Sequence, residues 1–147
     1  MILIAPWQEV SKHAYAVRQK VFIEEQGVPQ DLELDEFDLT AWHALAFWKD
    51  QCIGTGRLVE VGKNAGQIGR MAVLADFRGQ GFGMAILMKL IDQAASQGVS
   101  TITLHSQVYA IPFYEKFGFI AQGPIYEEAG IPHRNMILLL PITSQYK

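Results

Sequence analysis

The chain has 147 residues, half of them hydrophobic, and a formal net charge of -3. This size suits one compact domain with a single core, spanning residues 1–147. The small negative charge argues against the basic surface that nucleic-acid binding requires, so we expect no DNA or RNA partner.

The first ten residues, MILIAPWQEV, lack the basic region and cleavage site of a signal peptide. No apolar run reaches the roughly 20 residues of a membrane helix. We therefore expect a cytoplasmic protein without a membrane partner. Cys52 is the single cysteine of the sequence, so no intramolecular disulfide can form. We interpret Cys52 as a small buried hydrophobe rather than a catalytic thiol.

Hydrophobic periodicity predicts four elements in the N-terminal half. They are a strand over residues 2–5, a helix over 11–25, and two strands over 42–48 and 52–61. Gly27 and Pro29 are expected to end the helix. The polar residues 49–51 predict that the two later strands form a hairpin.

The C-terminal half continues with alternating strands and helices. We predict strands over residues 67–74, 100–106 and 135–140, a helix ending at Gly98, and a short helix between Pro112 and Gly118. This order predicts a mixed α/β sheet with helices on both faces.

Three alternating glycines, Gly79, Gly81 and Gly83, lie between a predicted strand and the helix that follows it. Such a turn directs backbone N–H groups towards a ligand at the positive helix N-terminus, which suits a phosphate. The alternative is a tight turn that binds nothing. No G-K-[ST] is present, which excludes a P-loop, and the spacing does not fit G-x-G-x-x-G.

The same stretch matches the pattern [RQ]-x-x-G-x-[GA] at Arg78, Gly81 and Gly83, and FYEKFGF over residues 113–119 matches a second signature. On these two motifs the chain resembles the GNAT N-acetyltransferases. VRQKVFIEEQGVPQDLELDEFDLTAWHALA and GIPHRNMIL resemble the ElaA/YjcF-like branch. The resemblance implies a mixed central β-sheet with helices on both faces and a splayed parallel strand pair that holds acetyl-CoA.

The resemblance implies acetyl-CoA as cosubstrate and assigns residues that bind it. The pantetheine arm would pair with the backbone of Met71, Ala72 and Val73 like an added strand, with the Val73 N–H as oxyanion donor. The pyrophosphate would lie on the loop formed by Arg78, Gly79, Gln80, Gly81, Phe82 and Gly83. Gln107 stands where related enzymes often carry an asparagine that contacts the cofactor.

Tyr114 occupies the position where this superfamily commonly places the tyrosine that protonates the CoA sulfur. A phenol with a pKa near 10 can donate to a thiolate and stay protonated at neutral pH. The alternative is a core aromatic side chain beside Phe113 and Phe117.

The sequence leaves open which group removes the proton of the acceptor amine. Seven of the fifteen acidic residues cluster before the second strand, namely Glu24, Glu25, Asp31, Glu33, Asp35, Glu36 and Asp38. In this superfamily that segment borders the acceptor pocket, and its charge would favour a cationic amine. The alternative is a solvated acidic loop. We take Glu25 as the candidate base.

We take Glu33, Asp35, His43 and His133 as candidate acceptor-binding residues. His43, His105 and His133 lack the spacing of metal ligands, so we expect no metal. The sheet is expected to end in exposed strands, which makes a homodimer one option.

The leading hypothesis is an acetyl-CoA-dependent N-acetyltransferase that acts on a primary amine of a small metabolite by direct transfer in a ternary complex. A second hypothesis is a catalytically silent acyl-CoA sensor or interaction module with the same fold. A third is a nucleotide-binding regulator that uses the same glycine turn.

Overall fold

The computed structural model describes residues 1–30 and 34–140. Its strands are β1 (Ile2–Pro6), β2 (Trp42–Trp48), β3 (Gln51–Gly62), β4 (Ala65–Val73), β5 (Thr101–Gln107), β6 (Ile120–Glu128) and β7 (Ile131–Leu139). Its helices are α1 (Trp7–Arg18), a π-helix (Gln19–Glu25), α2 (Phe82–Ser96) and α3 (Ile111–Glu115), with 3-10 turns at Glu36–Leu39, Ala75–Phe77 and Val108–Ala110.

The strands follow the order β1-β2-β3-β4-β5-β7-β6 in one sheet. Strands β4 and β5 pair in parallel over three residues each, from Ala65 opposite Thr101 to Gln67 opposite Thr103. The pairs β1–β2, β2–β3, β5–β7 and β6–β7 are antiparallel. The predicted mixed α/β sheet with a parallel strand pair is therefore confirmed.

The chain forms two compact units. The first contains Met1–Val59 and Ile68–Gln93, and the second contains Glu60–Gln67 and the chain from Ala94 onward. A single domain over residues 1–147 stays a prediction. Within the described ranges, no helix combines the length and the apolar composition needed to cross a membrane.

In the first unit, helices cover both faces of the β2–β3 hairpin. Val10 and Ala14 of α1 pack against Leu45 of β2. Leu45 lies opposite Thr55 in the strand register, so both side chains point to the α1 face. The neighbouring Gly54 therefore points to the other face, where α2 packs. The predicted helix over residues 11–25 is confirmed, although it begins earlier, at Trp7.

Two glycines of β3 let α2 lie close to the sheet. A Cβ atom at Gly54 would stand 2.8 Å from Cδ1 of Ile86, and one at Gly56 would stand 2.9 Å from Cδ1 of Leu90. Both distances are shorter than carbon atoms tolerate. The absence of side chains at these positions therefore allows the close spacing between helix and strand.

The second unit is built on the antiparallel pair β5–β7. Ile102 lies opposite Leu138, and Leu104 lies opposite Met136. All four side chains are buried and form one face of the pair. The residues between them point to the other face, which carries polar side chains. This alternation separates an apolar core from a surface that is available for chemistry.

Strand β6 is an element that the sequence did not predict. It contains Gly123 and Pro124, which commonly interrupt strands, and its register with β7 shifts between Gln122 and Tyr126. Its place at the end of the strand order explains the proline, because an edge strand has N–H groups that need no sheet partner.

Candidate active site

The glycine loop before α2 has the backbone geometry of an anion site. Gly79 and Gly81 have φ angles of +76° and +89°, which side chains rarely allow. The first hydrogen bond of the helix joins the N–H of Ala85 to the carbonyl of Gly81 at 3.0 Å. The amides of residues 82–84 therefore precede the helical hydrogen-bond ladder and can bind a ligand. A Cβ atom at Gly79 or Gly81 would meet open space, so a ligand can approach the backbone.

The end of β4 presents its backbone away from β3. The N–H of Leu74 donates to the carbonyl of Ile53 in β3 at 2.8 Å. Because backbone groups alternate in direction along a strand, the Val73 N–H points to the opposite edge. Just upstream, Arg70 has a φ angle of +51°, an unusual conformation for a residue with a side chain. The strand that the sequence assigned to pantetheine is thus locally strained.

Arg78 forms an ion pair with Glu25, the last residue of the π-helix. Its two terminal nitrogens donate to the two carboxylate oxygens of Glu25 at 2.6 and 2.7 Å, and its Nε donates to the Val73 carbonyl at 2.8 Å. The hydrogen bond from Arg78, with a smaller effect of its charge, lowers the pKa of Glu25 although burial opposes this. A carboxylate with a lowered pKa is a weaker base. The role of Glu25 as the base stays a prediction.

A cavity of about 350 Å³ adjoins this ion pair. It is lined by residues of the π-helix, by the first residue of β3 and by the chain that leaves β4, namely Lys20, Val21, Glu25, Gln51, Leu74, Ala75, Asp76 and Phe77. Its lining contains a lysine amine and two carboxylates. The first unit therefore combines a glycine loop, a polar cavity and an arginine–carboxylate pair.

Three arginines engage two of the acidic residues. Arg18, which is 0% exposed, donates to both oxygens of Asp38 at 2.8 and 3.1 Å. Arg57 donates to Asp38 at 2.9 Å and to both oxygens of Asp35 at 2.7 and 2.9 Å, and Arg70 reaches Asp35 at 3.2 Å. Burial would raise the pKa of Asp35, but the bonds from Arg57 and the charge of Arg70 outweigh it and lower that pKa.

The geometry of Asp35 also fixes the local backbone. Its side chain accepts the Phe37 N–H at 3.0 Å, while Asp38 accepts the Asp35 N–H at 3.2 Å, which forms a capping box. Acceptor binding by Asp35 stays a prediction. Glu33, the neighbouring candidate, lies outside the described residues. No local sequence signal pointed to the arginines, because they lie 19 to 35 residues away from their partners.

His43 lies in the interior of the first unit and is 1% exposed. Its Nε2 contacts the Asp38 carbonyl at 3.0 Å, and its ring lies 4.8 Å from that of Trp7. Its Nδ1 is buried and has no hydrogen-bond partner among the described residues. Burial lowers the pKa of His43 in spite of the bond to Asp38. The predicted contact of His43 with an acceptor stays a prediction.

Tyr114 of α3 is buried in the second unit, where it is 9% exposed. Its ring lies 5.0 Å from Phe113 and 5.9 Å from Phe119, both in edge-on arrangements. Burial, with a smaller contribution from Tyr109, raises the pKa of Tyr114. The phenol therefore stays protonated at neutral pH and is able to donate. Its contact with the CoA sulfur stays a prediction, as does the cofactor contact of Gln107, the last residue of β5.

The polar face of the second unit carries a cluster formed by His105, Tyr126, Glu128, His133 and Asn135. Nδ1 of His105 lies 3.1 Å from the Glu128 carboxylate, and the Tyr126 hydroxyl donates to Oδ1 of Asn135 at 2.5 Å. The Tyr126 ring lies 6.0 Å from His105 and 6.1 Å from His133. His133, a predicted acceptor residue, is buried there and donates from Nδ1 to a backbone carbonyl of β7 at 2.7 Å.

Neither a metal centre nor a reactive thiol is found in the described part of the chain. Among residues 1–30 and 34–140, no group of His, Cys, Asp and Glu side chains could hold a metal ion. Burial raises the pKa of the Cys52 thiol to about 11, so this thiol stays protonated at neutral pH.

Comparison with known proteins gives consistent matches. A family model described as an acetyltransferase (GNAT) domain matches residues 8–140. YjcF of Bacillus subtilis (strain 168), an uncharacterized N-acetyltransferase, is 35% identical over 137 residues, which cover 92% of this chain and 96% of that protein. The crystal structure of Escherichia coli ElaA superposes with a TM-score of 0.84 at 27% identity, covering 93% of this chain and 97% of ElaA. An acyl-CoA N-acyltransferase from Pseudomonas aeruginosa shares the fold, with a TM-score of 0.82 at 24% identity over 93% of this chain and 97% of that chain.

Proposed function

Because the chain belongs to the GNAT acetyltransferase family, we propose that it moves an acetyl group from acetyl-CoA to a primary amine of a small metabolite. The transfer is direct and takes place in a ternary complex, with acetyl-CoA and the amine as its two partners. Formation of a homodimer stays a prediction.

The observation that carries the proposal is the open glycine loop before α2. Gly79 and Gly81 adopt positive φ angles, their Cβ directions face open space, and the free amides of a helix N-terminus follow directly. Such amides stabilise phosphate without a lysine. The CoA pyrophosphate is the group that this loop would bind, as the sequence motif at Arg78, Gly81 and Gly83 also suggests.

The proposed chemistry uses groups with suitable protonation states. The Val73 N–H, directed away from β3, would stabilise the oxyanion that forms on the acetyl carbonyl. Tyr114, whose raised pKa keeps it protonated, would donate to the departing CoA thiolate. The Arg78 guanidinium would assist the phosphates from its position beside the loop. Each of these roles is part of the proposal.

The proposal is tested first by isothermal titration with acetyl-CoA. Gly81→Ala places a Cβ on a residue with φ +89°, which costs about 1–2 kcal/mol of backbone strain and disturbs the loop. Gly98→Ala is the matched control, because Gly98 has φ +79° and open space around it at the end of α2. We expect similar losses of stability in both variants and a loss of acetyl-CoA affinity in Gly81→Ala alone.

Transfer is then tested by release of the CoA thiol in the presence of phenethylamine, putrescine, glucosamine and an amino-acid methyl ester. Turnover with one or more of these amines supports the proposal. Saturable binding of acetyl-CoA without transfer to any amine would instead favour an acyl-CoA sensor. Equal loss of acetyl-CoA affinity in both glycine variants would show that affinity follows overall stability, and the glycine loop would then no longer support the proposal.

A further inference from the structure

An acceptor amine must lose a proton before it can attack a thioester. An alkylamine with a pKa of about 10 is neutral in only about one molecule in a thousand at pH 7. Three carboxylates of the acidic segment, those of Glu25, Asp35 and Asp38, already bind arginines, and their pKa values are lowered. Such carboxylates are weak bases. The described structure therefore calls for a different proton acceptor.

His105 has the geometry of a general base. The side chain is 40% exposed, and its Nδ1 lies 3.1 Å from Oε1 of Glu128. Because a carboxylate only accepts hydrogen bonds, the contact places the proton of the neutral imidazole on Nδ1. The lone pair of Nε2 is then available, and Nε2 has no hydrogen-bond partner among the described residues. His105 and Glu128 thus have the arrangement of a base and an orienting carboxylate that is common in catalytic sites.

The surroundings of His105 suit an ammonium group. Glu128 supplies negative charge, and the Tyr126 ring lies 6.0 Å from the His105 ring at a right angle to it. Asn135 stands directly opposite His105 in the β5–β7 register, with its Oδ1 bound to the Tyr126 hydroxyl. His133 faces the same side from the diagonal position on β7. Glu128 is the one formally charged side chain among these neighbours.

The cluster also lies beside a predicted cofactor contact. Gln107 is two residues from His105 on β5, so both side chains point to the same face of the strand. Gln107 lies opposite His133 in the register, which continues the polar face to the end of the strand. An amine bound at His105 would thus lie near the residue that the motif assigns to acetyl-CoA.

We propose that His105 is the general base of the transfer reaction and that Glu128 is its positioning residue. The inference rests on the proposed function and adds the residue that removes the proton of the amine, a role to which the proposed function assigned no residue. The acceptor is a primary amine that binds as an ammonium ion on the polar face formed by β5, β7 and β6.

The proton and electron balance is complete with these groups. Nε2 of His105 takes one proton from the ammonium ion and passes it to solvent. The neutral nitrogen forms the C–N bond to the acetyl carbonyl carbon, and the C–S bond breaks with its electron pair remaining on sulfur. The second proton lost by the nitrogen ends on the CoA sulfur, so the products are the amide, free CoA and one proton released to solvent.

The test compares two acceptors that differ in their need for a base. One is the best amine of the panel named above, and the other is methoxyamine, which is already neutral at pH 7. We expect His105→Gln to lower kcat/KM for the basic amine by at least about 100-fold. The same variant should leave kcat/KM for methoxyamine nearly unchanged. Glu128→Gln should lower turnover of the basic amine to a smaller extent.

Two control variants accompany the test. His13→Gln changes an exposed histidine of α1 and should leave both reactions unchanged. Glu25→Gln should retain the wild-type ratio of kcat/KM for the basic amine to kcat/KM for methoxyamine. A large decrease of that ratio would assign the base to Glu25. Titration with acetyl-CoA should give the same affinity for His105→Gln and wild type, which shows that the variant is folded.

The outcomes separate this proposal from the proposed function. If His105→Gln turns over like wild type, with an unchanged ratio of kcat/KM for the two acceptors, His105 is not the base. The proposed transferase function would be unaffected by that result. An equal loss for both acceptors would also overturn the base assignment, because His105 would then act in structure or binding. Acetyl-CoA binding without transfer to any acceptor would overturn the transferase and its base together.

Discussion

Asp38→Asn is expected to lower the free energy of unfolding by about 3–5 kcal/mol, because it removes a carboxylate from a buried ion network. Arg18 is 0% exposed and donates to both oxygens of Asp38. Arg57 is also buried and donates to Asp38 at 2.9 Å. The asparagine would remove the negative charge that both terminal nitrogens of the buried Arg18 contact. Total stabilities of domains are about 5–15 kcal/mol, so this loss is large.

The lowered pKa of Asp38 gives a second magnitude for the same contacts. Burial would raise this pKa, but the hydrogen bond from Arg18 and the charges of Arg18 and Arg57 lower it from 3.8 to about 2. A difference of this size corresponds to roughly 2 kcal/mol. Because the folded-state pKa lies below the unfolded value, the stabilisation is fully present above pH 4. It is lost as the pH falls from about 4 through 2.

The assay is urea denaturation of wild type and Asp38→Asn at pH 7, followed by a series towards pH 2. Asp92→Asn on the exposed side of α2 is the control and should change stability by less than about 0.5 kcal/mol. Between pH 4 and pH 2 the free energy of unfolding of Asp38→Asn should fall less than that of wild type, because the variant has no Asp38 carboxylate to protonate. A loss below about 1 kcal/mol together with an unchanged pH dependence would refute the reasoning.

Two further predictions concern the packing of α2 and the role of the phenol. Gly56→Ala should cost about 1–3 kcal/mol in urea denaturation and weaken acetyl-CoA binding, because its Cβ would stand 2.6 Å from Sδ of Met71. Gly62→Ala, whose Cβ would meet Ala65 at 3.9 Å, is the control, and equal losses in the two variants would contradict the packing argument. Tyr114→Phe should lower kcat far more than acetyl-CoA affinity, as measured by thiol release and titration. Unchanged turnover in Tyr114→Phe would remove this phenol from the mechanism.

The sequence predicted those features that depend on neighbouring residues. The β2–β3 hairpin followed from two apolar runs around three polar residues, and the end of α2 followed from Gly98, whose φ is +79°. The glycine loop followed from its spacing alone. In each case the local pattern and the observed backbone agree, since turns and helix ends are determined by residues that are adjacent in the chain.

The features that the sequence did not predict depend on distant contacts. The bonds from Arg57 to Asp35 and Asp38 join residues 22 and 19 positions apart, and no periodic pattern marks them. The contact between His105 and Glu128 depends on β6. This strand was not predicted because it contains Gly123 and Pro124, which are unusual within strands. Arrangements of this kind arise only when the sheet brings its strands together.

The π-helix Gln19–Glu25 makes the direction of Glu25 depend on the number of residues in the segment as well as on their identity. In an α-helix each residue turns the chain by about 100° around the axis. Deleting one residue and restoring α-helical spacing would therefore rotate the Glu25 carboxylate away from Arg78, even though no side chain had been substituted. Among related proteins, the length of this segment is consequently as informative as its composition for deciding whether the glycine loop has a carboxylate partner.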